Sequence, residues 1–283
     1  MLSNIKYYVR PSSIQEAIEE LSKGKGKYII YAGGTSTTLM KNNRIEGFVS
    51  LRDLKLSYIK KCNTGVKIGA MTRIQELYES DIIKNFAKGI IHKAVSKIGS
   101  TLNRNLITTG GNITQIFRWS DLPVALLVLN TKINIQGKSK RSINVEDFYK
   151  KHPKTILNYD DIVVDVKINE PKGSYGVDFI KFSKTEFDYA LIDVAMFLSV
   201  SNNKIKDIKI AYGGVKTFPF RAYELEEKLK NRVIDKNLEE KIKELSKEYI
   251  NPVSDFRVSK EYQKEITGVI TQRAFNNCLK SIK

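Results

Sequence analysis

Two glycine-pair loops, far apart along the chain, constrain the fold more than any other feature of the sequence. The first, Ala32-Gly33-Gly34-Thr35-Ser36-Thr37, directly follows a short β-rich run at 27–32. The second, Arg104-Asn105-Leu106-Ile107-Thr108-Thr109-Gly110-Gly111-Asn112, lies in a stretch (99–115) where apolar periodicity stops and Gly, Asn, Ser and Thr take over. A glycine pair removes two Cβ atoms and admits positive φ, so successive backbone N–H groups can converge on one anion. Flanking Thr and Ser hydroxyls add uncharged donors. Either loop alone reads as a turn, but together they suit the two phosphates of a pyrophosphate. Neither fits G-x-G-x-x-G or G-x-x-x-x-G-K-[ST], which disfavours a Rossmann dinucleotide site and a nucleoside triphosphate loop.

The rest of the composition narrows the choice by exclusion. The 283 residues leave room for two domains. Forty-eight Lys and Arg against 31 Asp and Glu give a net charge of +17, which invites a nucleic-acid reading. The lysines are scattered, however, and no zinc finger, RNP-like or KH-like element accompanies them, so solvated faces explain them better. An acidic partner protein or an anionic ligand is a better use of such a surface. Cys62 and Cys278 form no disulfide framework and no CxxC or Cys/His cluster for zinc or iron–sulfur. His92 and His152, the only histidines, have no adjacent nucleophile motif, so a His-based triad is disfavoured. No metal site and no general acid–base pair or nucleophile is expected. The longest apolar stretch, 122–129, falls far short of the ~20 residues that span a bilayer. Residues 1–10 hold no apolar core for a signal peptide, so a cytoplasmic protein is expected.

Periodicity predicts helices at 13–21 (capped by Ser12 or Ser13), 73–78, 82–98 and 122–129, the last with Asp121 at its N-terminal dipole. Strands are expected at 27–32, 48–51 and 161–168, with a hairpin joining 58–61 to 65–70. After a Pro/Gly-containing boundary at 169–176 come strands at 177–182, 189–201 and 205–211, then helices at 222–230, 237–248 and 257–282. That order implies two α+β units.

Several motifs also carry a family resemblance. Ala32-Gly33-Gly34-Thr35-Ser36, then Arg104-Asn105 with Thr108, Gly110, Gly111 and Asn112, then Asp121 with Pro123, resemble the flavin-binding medium subunit of the molybdenum hydroxylases. This is the family of xanthine dehydrogenase, carbon monoxide dehydrogenase and aldehyde oxidoreductases. Lys181-Phe182 followed by Asp188-Tyr189-Ala190 is similar to the family's Lys-x…Asp-x-Ala element. Ala211-Tyr212-Gly213-Gly214-Val215, followed by Pro219-Phe220-Arg221-Ala222, resembles its Gly-Gly-Val…Pro-x-Arg-Ala segment. One such motif is weak, and five in family order are specific.

The resemblance implies an α+β fold: a two-lobed FAD-binding domain of the vanillyl-alcohol oxidase (PCMH) type over 1–170, with subdomains of about 1–56 and 57–170 and the flavin between them. A C-terminal α+β domain of antiparallel strands and helices over 171–283 would follow. It also implies that Ala32, Gly33, Gly34, Thr35, Ser36 and Thr37, with Arg104, Asn105 and Thr108, Thr109, Gly110, Gly111 and Asn112, form the cofactor loops, and that 32–36 and 108–112 cradle the pyrophosphate through N–H groups and hydroxyls. Asp121 would accept from a sugar or ribityl hydroxyl, and Lys181 would lie near the isoalloxazine edge. The function so implied is electron transfer: a large molybdenum-cofactor subunit oxidises the substrate, a small subunit with [2Fe-2S] clusters passes the electrons on, and FAD in this chain delivers them to NAD, a quinone or dioxygen.

The sequence departs from the family at 113–120, where Phe117, Arg118 and the only tryptophan, Trp119, replace a small-residue stretch, and at Thr185 and Glu186, where basic residues are common. Two other readings remain open on the residues alone: a nucleotide- or anion-binding protein without turnover, and a basic nucleic-acid-binding module.

Overall fold

Ser13 starts the first helix as its sequence suggests, its hydroxyl accepting from the Glu16 amide at 3.1 Å. A computed structural model describes residues 4–253 and 256–282. In chain order the first elements are β1 (Tyr7–Val9), α1 (Ile14–Gly24), β2 (Tyr28–Tyr31), β3 (Gly47–Ser50), β4 (Ile59–Cys62), β5 (Gly65–Gly69) and α2 (Ile74–Glu79). Then follow α3 (Asp81–Asn85), α4 (Ile90–Val95), α5 (Thr101–Arg104), α6 (Thr109–Thr114), α7 (Asp121–Leu127), β6 (Asn130–Gln136), β7 (Lys140–Asn144), α8 (Val145–Phe148) and β8 (Ile162–Asn169). The last are β9 (Tyr175–Phe182), β10 (Ile192–Ser201), β11 (Lys204–Gly213), β12 (Phe220–Arg221), α9 (Tyr223–Leu229), α10 (Lys236–Tyr249) and α11 (Lys260–Ile282). Packing divides them into two units. Residues up to Ser80 with Ser100–Ile116 and Thr131–Ile168 form one, and Asp81–Gly99 with Phe117–Asn130 and Asn169 onward form the other.

In the first unit β3 lies between β1 and β2 and runs parallel to both. The apolar stripe of α1, Ala17, Ile18 and Leu21, packs with Val49, Leu51, Leu54 and Ile162. A five-stranded sheet follows in the order β4-β5-β8-β6-β7, with β4–β5 the predicted hairpin. The β6–β7 hairpin has no counterpart in the sequence reading, because 138–141 looks like a charge run and β7 has no fully buried residue. Arg141 anchors it: its guanidinium grips Asp161 at 2.8 and 2.6 Å, and the Asp161 side chain is buried.

In the second unit the four-stranded antiparallel sheet β12-β11-β10-β9 makes β10 an inner strand, as expected of the apolar 189–201 segment, although the strand begins only at Ile192 and Tyr189 is exposed. Helices α9, α10 and α11 close over it through Leu225, Ile242, Ile270 and Phe275. The described residues of α7 are buried on every side, the signature of a helix enclosed in a core.

Two expectations need correction. The segment 82–98 is not one helix: Ala87 (φ 45°), Lys88 (φ 52°) and Gly89 (φ 77°) turn left-handed and separate α3 from α4. Their tertiary partners hold this break, since the Ala87 amide donates to the Glu170 carboxylate at 3.3 Å and Lys88 Nζ to the Ser281 carbonyl. The stretch 99–115 is not loop throughout, for it contains α5 and α6. The caps were readable in retrospect: Ser100 accepts from the Asn103 amide and Thr108 from the Gly111 amide.

The Arg141–Asp161 pair gives a stability prediction. Burial works against the Asp161 charge, but the Arg141 guanidinium and the Asn158 amide outweigh it and hold the carboxyl below its ordinary value. A depressed pKa stabilises at neutral pH and is lost as pH falls through the folded value. Arg141→Met should therefore cost about 3 kcal/mol at pH 7. The difference from the parent should shrink as pH drops below about 4. Urea midpoints at the two pH values measure both effects.

Candidate functional site

The two glycine loops meet within the first unit. An ideal Cβ at Gly33 would fall 1.8 Å from the Leu106 carbonyl oxygen and 3.5 Å from the Thr108 nitrogen, so the chains touch backbone to backbone there. Gly34, at φ 76°, turns the chain away, and Thr38 closes the turn by donating its amide and hydroxyl to the Gly34 carbonyl at 3.1 and 2.7 Å. The amides of 33–37 are not taken up by hydrogen bonds among the described residues.

The second loop is differently built. Gly110 and Gly111 are helical, in the first turns of α6, and need no positive φ. Gly110 is required by space, since a Cβ there would come 2.8 Å from Ala70 Cβ and 3.0 Å from its carbonyl oxygen. The amides are engaged: Thr109 donates to Thr72 O at 2.8 Å, Gly110 to Ala70 O at 2.7 Å, Gly111 to Thr108 Oγ1 at 3.2 Å and Asn112 to Thr108 O at 2.9 Å. These bonds fix a glycine-rich helix that propensity alone disfavours. They also leave the first loop as the source of free backbone donors. The second offers side chains, above all Asn112, whose buried Oδ1 has no hydrogen-bond partner. Arg104 is a buried strut, its Nε donating to Gln75 Oε1 at 2.8 Å and its guanidinium lying 5.1 Å from the Tyr78 ring centre. Asn105 and Leu106 are exposed, and Ala32, Thr35, Ser36 and Thr37 are half-buried.

Asp121 and Lys181 lie in the second unit and are paired. Lys181 Nζ donates to Asp121 Oδ2 at 3.2 Å and to the Lys97 carbonyl at 2.8 Å, and both side chains are about 5% exposed or less. Lys181 is therefore not a solvated strand lysine. Burial raises the Asp121 carboxyl against the opposing pull of Lys181. A third group was missed: Asp193, on β10, is fully buried beside them, and burial followed by the neighbouring Asp121 charge pushes its carboxyl well up. Its signal was an acidic residue inside an otherwise apolar strand. Of the bulky residues that depart from the family, Phe117 stacks on Trp119 at 5.3 Å, and Tyr189 and the Arg257 guanidinium approach the Trp119 ring at 4.7 and 5.5 Å.

A family model described as the FAD binding domain in molybdopterin dehydrogenase matches residues 3–171, and one described as the CO dehydrogenase flavoprotein C-terminal domain matches 179–278. The chain belongs to the FAD-binding medium-subunit family of the molybdenum hydroxylases, and it is an oxidoreductase subunit. A glyceraldehyde dehydrogenase medium chain from Sulfolobus acidocaldarius is 35% identical over 273 residues, covering 95% of this chain and 96% of that one. A carbon monoxide dehydrogenase medium chain from Afipia carboxidovorans is 29% identical over 273 residues, covering 94% of each. Among solved structures, a reconstituted CO dehydrogenase from Oligotropha carboxidovorans matches with a TM-score of 0.90 at 27% identity, covering 99% of both chains. The fold class read from the resemblance is thus the observed one. Among the described residues no helix is long and apolar enough to cross a membrane.

The contact between the loops predicts unequal glycines. Gly33→Ala must displace the Leu106 carbonyl and should cost on the order of 3 kcal/mol. Gly111→Ala meets only the Thr108 hydroxyl, at 2.9 Å, and should cost under about 1 kcal/mol. Denaturation midpoints of the two variants test the difference.

Proposed function

We propose that this chain is the FAD-carrying electron-transfer subunit of a molybdenum hydroxylase complex. It takes electrons from iron–sulfur clusters of a small partner subunit and delivers them to an external acceptor: NAD, a quinone or dioxygen. A large partner subunit with the molybdenum cofactor oxidises the substrate. The medium-chain names of its relatives support a multi-subunit assembly. The observation that carries the reading is the backbone contact at Gly33, which brings the free amides of 33–37 beside the second loop, where Asn112 Oδ1 waits buried without a donor.

These residues fit the cofactor. Amides and hydroxyls of Gly33, Gly34, Thr35, Ser36 and Thr37 are donors suited to pyrophosphate oxygens, and a cradle of neutral donors holds anionic oxygens without a neutralising lysine. Asn112 Oδ1 can accept from a hydroxyl or amino group, which phosphate does not supply and a nucleotide or flavin does. In the second unit Asp121 Oδ1 is likewise buried without a donor and suits a cofactor hydroxyl, while Lys181 supplies a fixed positive charge. When bound, FAD supplies a ring that exchanges electrons singly or in pairs. The chain's own residues bind it, orient it and set the charge around it.

Titrating FAD into the purified full chain should quench flavin fluorescence to a one-to-one endpoint. Thr35→Val with Ser36→Ala should weaken binding about tenfold or more, the loss expected for hydroxyl donors to charged oxygens. A chain that binds no FAD would overturn the reading. Salt-sensitive binding to random duplex DNA by that chain would favour the basic-module alternative instead.

A further inference from the structure

The buried group in the second unit that the proposed function leaves unused is Asp193. The β-ladder places Lys181, Asp193 and Gly213 directly opposite one another on β9, β10 and β11. The α7 helix packs over that row and contributes Asp121 and Val124. An ideal Cβ at Gly213 would fall 2.0 Å from Asp193 Oδ1 and 2.9 Å from Val124 Cγ2, so the carboxyl occupies space that only a glycine leaves open. Asp193 is 0% exposed, and neither of its oxygens has a hydrogen-bond donor of good geometry among the described residues. The Asp121 carboxyl lies within hydrogen-bond reach, and the Gly213 amide bears on Asp193 from β11 with a weaker, opposing effect.

Charge counting then fixes the protonation. Lys181 brings one positive charge and already gives its hydrogen bonds to Asp121 Oδ2 and the Lys97 carbonyl. Two ionised carboxylates in contact, both desolvated, would leave an uncompensated negative charge in the core, and like charges in such a pair cannot both ionise. One carboxyl must keep its proton. Asp121 is the one that touches the ammonium, so it is the anion. Asp193, which feels the Lys181 charge but does not receive its hydrogen bond, is the acid. The proton then fills the carboxyl–carboxyl contact that otherwise has no donor. The charged and titratable groups that bear on Asp193 from the packed elements are Asp121 on α7 and Lys181 on β9.

We propose that Asp193 is a positioning residue that stays protonated and donates its O–H to the Asp121 carboxylate, holding that carboxylate ionised, paired with Lys181 and fixed for a ligand hydroxyl. The bearing on ligand affinity rests on the FAD reading above, whereas the proton itself does not. No bond is made or broken in this role. The proton stays on Asp193, and the arrangement of Lys181, Asp121 and Asp193 is electrically neutral.

Infrared spectroscopy of the full chain, with 13C-labelled aspartate, tests the proton directly. At pH 7 the parent should show a protonated-carboxyl C=O stretch that shifts in D2O. The band should vanish in Asp193→Asn, and in Asp121→Asn, where Asp193 is left as the carboxyl that can neutralise Lys181, it should weaken or disappear at pH 7. A parent without the band, a band that survives Asp193→Asn, or one left at full strength in Asp121→Asn would each overturn the proposal. Thermal midpoints give a second reading. A raised folded pKa stabilises below the unfolded value and is lost as pH rises through the folded one. The midpoint of Asp193→Asn relative to the parent should therefore rise by several degrees between about pH 4 and about pH 8, and a difference independent of pH would count against the proposal. For affinity, Asp193→Asn keeps a donor and should bind FAD within about twofold of the parent, while Asp193→Leu should bind about tenfold more weakly. Equal losses in the two variants would reduce Asp193 to packing. If the parent binds no FAD, the functional reading fails, yet the infrared band and the midpoints still decide the proton. If Asp193→Leu does not fold, Asp193→Asn carries the test.

Discussion

The Leu106 carbonyl oxygen sits where a side chain at position 33 would begin. Much of the first unit's arrangement follows from that approach. Gly33 ends the run out of β2, and the chain can lie against the backbone before α6 only because no Cβ intervenes. The same segment is anchored on its other side by Thr109 and Gly110, whose amides bond the carbonyls of Thr72 and Ala70 just beyond β5. One backbone contact and two hydrogen bonds thus join a strand end, a loop and a short helix that lie far apart in sequence. The amides left over are those of 33–37. A cradle of this kind depends on backbone geometry more than on charge, which is why a chain with 48 basic residues places no lysine or arginine within either glycine pair or its Ser/Thr flank.

The second unit solves a different problem. Its sheet and helices bury three titratable side chains together, and low dielectric makes their charges interdependent. The ion pair between Lys181 and Asp121 is better understood as a fixed electrostatic element than as a source of stability, since desolvation offsets most of the attraction. Asp193 completes the set by supplying a proton where a second cation would be too large: Gly213 faces it across the ladder and α7 covers it. The row Lys181, Asp193, Gly213 shows how strand register can assemble such a group from residues that sequence spacing never brings to attention.

Much of this was legible in the sequence, for identifiable reasons. Segments with a clean period, such as the α1 stripe of Ala17, Ile18 and Leu21 or the apolar run through β10, form the elements their pattern dictates. The paired glycine motifs in family order also led to the observed fold class. What was not legible had no local signal. The break at 87–89 depends on Glu170 and Ser281, and a left-handed Ala and Lys in succession follow from those partners rather than from propensity. The β6–β7 hairpin is hidden because β7 holds no fully buried residue and the basic run 138–141 that turns into it looks like a solvated charge cluster. At the candidate site, the residue types were readable while their division of labour was not. Which amides are free and which are consumed by Thr72, Ala70 and Thr108 is settled only by tertiary contact, and so is the use of Arg104 as a strut on Gln75.

The central claim is that the free amides beside the Gly33–Leu106 contact receive the cofactor's phosphates. Amide hydrogen exchange of the full chain with and without FAD tests it most directly. The account predicts that exchange at 33–37 slows markedly when FAD is added, while 109–112, already bonded internally, are slow in both states. Unchanged exchange across 33–37 with FAD demonstrably bound would contradict it.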